Sequence, residues 1–583
     1  MKSKISIRKI FKKVFSSDRK FLVLIIISII FSLVSSILLI IGPDKLSDIT
    51  NIISSGLVTG INMDKVKHLT TILVIMFSCS LVLGYFQGYI MAYVNLKFSK
   101  NLRSEIVKKI NVLPLKYFDK TTYGDILSRL TNDVDTLASA LESSVVVIVS
   151  SATLLIGSVI MMFYTSYIMA ISAILSSLIG FILMIFILSK SNKYFIMQQK
   201  QLGIINGHIE ESYTGHNIIK SYNGEECSMK RFEEINDKMF NSSKKSQFLS
   251  GLMMPINGFI SNFGYVCVCV VGSLLVMKGS ITFGVIVAFM LYVRHFNQPL
   301  SQISQVATRM QPAYAAGLRI FEFLEEEEMR VENNNIVNMK SIKGNIEFKN
   351  VSFSYSKDKK VIDNFSVMVK SGQKVAIVGK TGAGKTTIVN LLMKFYDISS
   401  GDILIDGVSI NRITRDNIHD LFCMVLQDTW IFEGSVRENI VYNKKNISNK
   451  DVESVCKTIG LDHYIKTLPN GYDTYISSDY GLSSGEKQLI TIARGMIKNS
   501  PLLILDEATS NVDTRTEAII QEAMDKLTKG RTSFIIAHRL STIKNADIIL
   551  VLDNGNIVEK GSHEELMKAS GTYYSLYNSQ FQN

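Results

Sequence analysis

The chain has 583 residues, of which 47% are hydrophobic, and a mean hydropathy of +0.21. It is too long for one core and too apolar for an ordinary soluble protein of that length, so two or more domains with a membrane-embedded part are expected. The net charge of +12 leaves nucleic acid, a membrane surface or the inner loops of a membrane protein open, and six cysteines without paired or C-x-x-C spacing argue against a disulfide scaffold and point to a reducing compartment.

Residues 1–20 carry eight basic side chains, with Ile7, Ile10, Phe11, Val14 and Phe15 at helical spacing, the pattern of a helix lying in the headgroup plane. From Phe21 to Gly42 there is no Asp, Glu, Lys or Arg. That run exceeds the core of a signal peptide and no A-x-A site follows, which predicts a retained span. Residues 69–96 and 247–277 are equally uncharged; 143–189 is long enough for two spans turning at Tyr164–Tyr167; a sixth run starts at Gly279 and is interrupted by Arg294. The predicted spans are therefore 21–42, 69–96, 143–163, 167–189, 247–277 and 279–308. Basic residues crowd into 1–20, 97–142 and 190–245 and are scarce at 43–68, 164–167 and 278–281, placing both termini in the cytoplasm. This sidedness accounts for the positive charge, so no nucleic-acid partner is expected.

The two long inner loops keep helical periodicity around Asn101–Ile110 and Arg231–Phe240, predicting membrane helices that continue into the cytoplasm. Arg294 within the sixth span costs about 2.5–3.5 kcal/mol to insert and must find water or a partner. With His295, Asn297 and Gln298 beside it, Asn257 and Asn262 in the fifth span and Gln87 in the second, it marks a polar path for cargo or a structural pairing between helices.

Residues 325–340 read as a charged linker and 341–583 as a second domain of short β-rich runs. There an apolar strand, a glycine-rich loop and a helix follow in order. Gly379, Gly384, Lys385 and Thr386 fit G-x-x-x-x-G-K-[ST], a loop whose backbone N–H groups, from Gly379 through Lys380, Thr381, Gly382, Ala383 and Gly384 to Thr387, surround phosphate at a helix start. Lys385 then neutralises the outer phosphates and the Thr386 hydroxyl holds Mg²⁺. Asp506 and Glu507 end a wholly apolar strand. Adjacent carboxylates at a strand tip are ordinarily solvated charge; downstream of a phosphate loop they read as a Mg²⁺ partner and a base for the attacking water. A third apolar strand runs into His538.

These residues resemble the ATP-binding cassette exporters in their half-transporter form, over essentially the whole chain and in the family's order. The resemblance implies an all-α six-helix transmembrane domain of the type IV exporter fold, 1–324, followed by an α/β P-loop nucleotide-binding domain. It makes Tyr355 the aromatic that stacks on adenine, Gln427 the link between Mg²⁺, attacking water and membrane domain, Leu482–Glu486 the signature with Ser483 and Gly485 meeting phosphate, Asp513 the D-loop aspartate and His538 the switch histidine. ATP and Mg²⁺ are the implied cofactors, and a second half-transporter, the bilayer and a hydrophobic or amphipathic compound the implied partners. Coupling helices are expected near Gly124–Asp135 and Ser212–Ser221. The family signature reads Leu-Ser-Gly-Gly-Gln; here Ser484 and Glu486 depart from it. If position 484 needs positive φ, serine costs about 1–2 kcal/mol, and a carboxylate at position 486 opposes phosphate unless it turns away or pairs with a cation such as Lys487. The altered signature beside an intact Glu507 implies one subunit of a heterodimer; a mainly regulatory ATP-binding subunit and a homodimeric lipid flippase are the alternatives.

Overall fold

A computed structural model describes residues 19–329, 332, 339, 342–355, 360–427, 429–477, 481–506, 514–536 and 543–581, with a few side chains inside the helices left out. The chain divides into two compact units, 1–111 with 123–326 and 112–122 with 327–583.

The first unit is helical. Its long members are α1 (Arg19–Thr59) and α2 (Met63–Val112), and the chain continues through a short α3 (Leu115–Phe118) and α4 (Tyr123–Ser128). A π-helical turn over Arg129–Asp133 leads into α5 (Val134–Thr165), followed by α6 (Tyr167–Thr214), α7 (His216–Ser221), α8 (Glu225–Gly251), α9 (Met253–Met277) and α10 (Phe283–Leu324). At 1.5 Å per residue, the 50 residues of α2 and the 48 of α6 extend roughly 70–75 Å, more than twice a hydrocarbon core. Among the described residues five helices are long and apolar enough to cross a membrane. The sixth expected span, in α10, is not among the five: Arg294, His295, Asn297 and Gln298 interrupt its apolar run. On α10 Arg294 and Gln298 are exposed one turn apart, while Tyr292 and Val293 are fully buried. Tyr292 and Val293 join Phe289, Val268 of α9 and Met169 of α6 in one core cluster.

Small residues let these helices approach. Ser28, Ser32 and Ser36 of α1 and Ser144, Ser151 and Ser158 of α5 are buried at spacings of four and seven. A Cβ on Gly157 of α5 would lie 2.4 Å from Ile40 Cδ1 of α1, so only glycine permits that crossing. Just before α5, buried Asp133 pairs with Arg319 of α10, and the Arg129 guanidinium lies 5.7 Å from the centre of the Phe323 ring.

The second unit contains two sheets. β1 (Ile346–Phe353), β2 (Ile362–Val369), β4 (Ser400–Ile405) and β5 (Val408–Ser409) form an antiparallel sheet in the order β2-β1-β4-β5. β3 (Lys374–Gly379), β6 (Phe422–Val425), β9 (Leu502–Asp506), β10 (Thr532–Ile536), β11 (Ile548–Asp553) and β12 (Asn556–Gly561) form the other, in the order β12-β11-β3-β10-β9-β6. All neighbours in this sheet run parallel except the edge strand β12. β3, β9, β10 and β11 are apolar because both faces of a parallel sheet are covered. A small ribbon pairs β7 (Gly434–Ser435) with β8 (Tyr475–Ile476).

Around the sheets lie α11 (Lys385–Leu392), α12 (Arg415–Leu421), α13 (Val436–Val441), α14 (Asn449–Thr458), α15 (Asp462–Thr467), α16 (Ser484–Lys498), α17 (Thr514–Thr528), α18 (His563–Ala569) and α19 (Thr572–Phe581). Glu332, from the expected linker, is bound by Lys394 Nζ at 3.1 Å and by the Arg415 backbone N–H at 2.9 Å, so that part of the linker is anchored to the cassette. Residues 112–122, expected within the membrane domain, group with this unit instead: Met329 N–H donates to Val112 O at 2.9 Å and the Tyr396 hydroxyl to Asp119 at 2.5 Å.

Candidate functional site

The parallel strands deliver their C-terminal ends to one edge of the sheet, the edge where ligands of open α/β sheets bind. β3 ends at Gly379 and runs into the phosphate-type loop; β9 ends at Asp506; β6 ends two residues before Gln427. β10 lies between β3 and β9, with Ile536 in register with both Ile377 and Asp506. The register therefore brings Gly379–Thr387, Asp506 and Gln427 to the same edge. Glu507, Asp513 and His538 lie outside the described residues.

The loop is built for an anion. Gly384 caps α11 with φ +98°, a left-handed conformation natural to glycine, and no side chain caps the helix start. A Cβ there would also lie 2.7 Å from Ile362 Cδ1 and 3.2 Å from Val361 O. Lys385 Nζ donates to the loop carbonyls of Gly379 at 2.5 Å and Lys380 at 3.3 Å, and among the described residues it forms no ion pair. Burial pulls its pKa down, opposed by the Asp506 charge. The donor set, a free helix start and an ammonium, fits a polyphosphate. Exposed Thr386 and Gln427 and half-buried Asp506 supply the hard oxygen atoms that suit Mg²⁺.

Beside the loop is an aromatic cluster. Tyr355 meets Phe353 edge-on at 4.9 Å and Tyr396 at 5.1 Å, and its hydroxyl is 3.2 Å from Thr387 Oγ1 of α11. Burial, then the Asp119 carboxylate, pushes the Tyr396 phenol well above its ordinary pKa. A contact chain thus runs from the loop helix through Tyr355 and Tyr396 to Asp119. Sequence reasoning missed Tyr396 and Asp119, because neither carries a motif and they are 277 residues apart. Residues 112–122, which group with the cassette unit, end just before the stretch Gly124–Asp135 where a coupling helix is expected.

The altered signature starts α16. Ser483 is its N-cap, and Ser484 is its first residue, with no positive φ, so the expected strain at position 484 does not arise. Glu486 sits at the third helical position: its carboxylate accepts from the Ser483 backbone N–H at 2.8 Å while its own N–H donates to Ser483 Oγ at 3.3 Å. This capping box turns the carboxylate back onto its own helix start and not toward Lys487. Gly485 is buried. One turn from the end of the helix, Arg494 donates to Asn439 O at 2.8 Å and lies 5.2 Å from the Tyr442 ring centre, fixing α16 to α13.

A bundle of membrane-crossing helices followed by a cassette with a phosphate loop at a parallel-sheet edge defines a membrane-embedded ATPase. Residues 25–300 match the ABC transporter transmembrane region and residues 362–510 the ABC transporter ATP-binding domain. The chain is 40% identical over 518 residues to a fatty acid ABC transporter ATP-binding/permease protein of Mycobacterium bovis, covering 89% of this chain and 82% of the relative. It is 34% identical over 525 residues to an ATP-dependent lipid A-core flippase of Syntrophus aciditrophicus, covering 89% and 86%, and 34% identical over 506 residues to a probable multidrug resistance ABC transporter of Bacillus subtilis, covering 86% and 75%. Its fold is like that of a bacterial Atm1-family ABC exporter solved with ATP bound, with a TM-score of 0.75 at 24% identity over 97% of this chain and 99% of that one. The protein belongs to the ABC transporter family: it is a multi-pass membrane protein of the exporter type whose ATP-binding domain hydrolyses ATP coupled to transport.

Proposed function

We propose that the chain is one half of a heterodimeric exporter that moves a hydrophobic or amphipathic compound out of the cell by alternating access, with both termini and the cassette in the cytoplasm. The loop N–H groups and Lys385 bind the β- and γ-phosphates; Thr386, Gln427 and Asp506 hold Mg²⁺, which supplies charge neutralisation at the phosphoryl oxygens. Tyr355 stacks on the base, Glu507 takes the proton of the attacking water and His538 contacts the γ-phosphate side. Ser483, Gly485 and Asp513 complete the site of the partner subunit. The residues of this chain favour nucleotide-driven closure because the phosphate loop and the signature are separate surfaces that one triphosphate contacts together only when two cassettes meet.

The observation that carries the heterodimer is the carboxylate of Glu486 folded onto the signature helix start beside an intact set of loop residues. Relatives described as fatty-acid, lipid A-core and multidrug transporters support an apolar or amphipathic cargo. The test is ATPase activity and vesicle transport by the chain purified alone and with a second half-transporter from the same genome. Low activity alone, high activity together and loss of turnover in the pair with Glu507→Gln are expected. Robust turnover by the lone chain makes it a homodimer. Turnover that survives Glu507→Gln makes it a regulatory subunit.

A further inference from the structure

The membrane unit has a partly open, largely apolar pocket, about 460 Å³ when its solvent-open space is counted, that the nucleotide chemistry does not use. Its walls come from α1, α2 and α5, including Phe21, Val94, Ala138 and Val145; the polar residues in its lining are Asn95 and Glu142. Phe21 opens the first uncharged run, Asn95 lies one residue before the end of the second, and Glu142 directly precedes the third. Three helices thus bring the same ends of their apolar runs together, at the boundary that the basic loops mark as the cytoplasmic one.

The polar pair is unbalanced. Asn95 Nδ2 donates to Glu142 Oε2, while Asn95 Oδ1 is buried with no hydrogen-bond partner among the described residues. Exchanging the amide atoms would set two oxygens against each other, so this orientation is the favourable one. Among the described residues Glu142 has no cationic partner. A carboxylate without a cation at the margin of the hydrocarbon, next to an orphaned acceptor, is costly unless a ligand brings positive charge and N–H donors. We propose that this cavity binds a single-chain amphiphile with a primary ammonium head, entering from the inner leaflet, the ammonium lying between Asn95 Oδ1 and Glu142 and the chain against the apolar walls. A carboxylate head is repelled, an alcohol brings a donor but no charge, and a quaternary ammonium brings charge but no N–H.

The test uses the full chain in phosphatidylcholine nanodiscs without nucleotide, titrated with dodecylamine, dodecyltrimethylammonium, dodecanol and dodecanoate below their micellar concentrations, with empty nanodiscs subtracted. The amine is expected to bind at least about tenfold tighter than the alcohol or the trimethylammonium compound, the advantage of a charge-assisted hydrogen bond, and dodecanoate most weakly. Glu142→Gln, which keeps an acceptor for Asn95, is expected to remove the preference for the amine without moving the unfolding temperature of the ligand-free protein. Val145→Phe, which fills the cavity and leaves the acid, is expected to abolish binding of all four. If Glu142→Gln fails to fold, the affinity order in the unaltered protein and the Val145→Phe result decide. Equal affinity for amine and alcohol, or an amine preference that survives either substitution, overturns the proposal. No nucleotide or transport enters the measurement, so its failure leaves the export reading standing.

Discussion

Glu486 shows how one side chain serves two demands. At the third position of α16 it completes a capping box with Ser483, satisfying a backbone N–H that the helix start would otherwise leave open and placing negative charge where the helix dipole favours it. The same charge opposes a phosphate approaching that helix end: at about 8 Å and an effective dielectric near 20 the repulsion is on the order of 2 kcal/mol. Glutamine can form the same box without the charge. Glu486→Gln in the assembled transporter is therefore expected to keep its thermal stability while lowering the KM for ATP by about three- to tenfold at low ionic strength, a gain that shrinks in high salt as screening sets in. An unchanged KM at low salt would show that the carboxylate lies too far from the nucleotide to matter.

Packing between elements supports two further predictions. Tyr396 links the Tyr355 ring, against the phosphate-loop helix, to Asp119 in the segment between α3 and α4. Tyr396→Phe keeps the ring contacts and removes only the hydrogen bond. It is expected to leave the KM for ATP within about twofold and to lower transport per ATP hydrolysed, which marks Tyr396 as a positioning residue; a parallel loss of nucleotide affinity would instead show a role in the nucleotide site itself. At the α1–α5 crossing, Gly157→Val forces the helices apart against Ile40, with an overpacking cost of about 1–3 kcal/mol read as a lower unfolding temperature. Adding Ile40→Ala makes room for the new side chain and is expected to recover part of that loss. Strict additivity of the two substitutions would mean that the crossing has relaxed elsewhere.

At the scale of the whole molecule, transport by two unlike halves predicts that Glu507→Gln in this chain costs the pair far more turnover than the same change at the partner's corresponding position, measured as ATPase in reconstituted vesicles; equal losses would point to two equivalent sites. The class of protein was legible before any coordinates. Uncharged runs near Phe21–Gly42 and residues 69–96 specify spans because hydrocarbon offers no partner to backbone or charge, and the glycine-rich loop from Gly379 to Thr387 is readable because phosphate needs bare N–H groups at fixed spacing. The sixth helix was readable only by its neighbours, since Arg294 and its polar companions break the apolar run. Ser484 and Glu486 stayed open in isolation: whether a serine is strained depends on φ, and where a carboxylate points depends on its rotamer, and both are fixed by the capping geometry of α16. The pairing of Tyr396 with Asp119, the grouping of 112–122 with the cassette and the Asn95–Glu142 cavity were likewise invisible. Local composition and spacing act through solvent and backbone chemistry, which each segment carries with it, and so determined the class, the spans and the phosphate loop. Contacts between residues far apart in the chain arise from which faces pack together, and only the tertiary structure decided those.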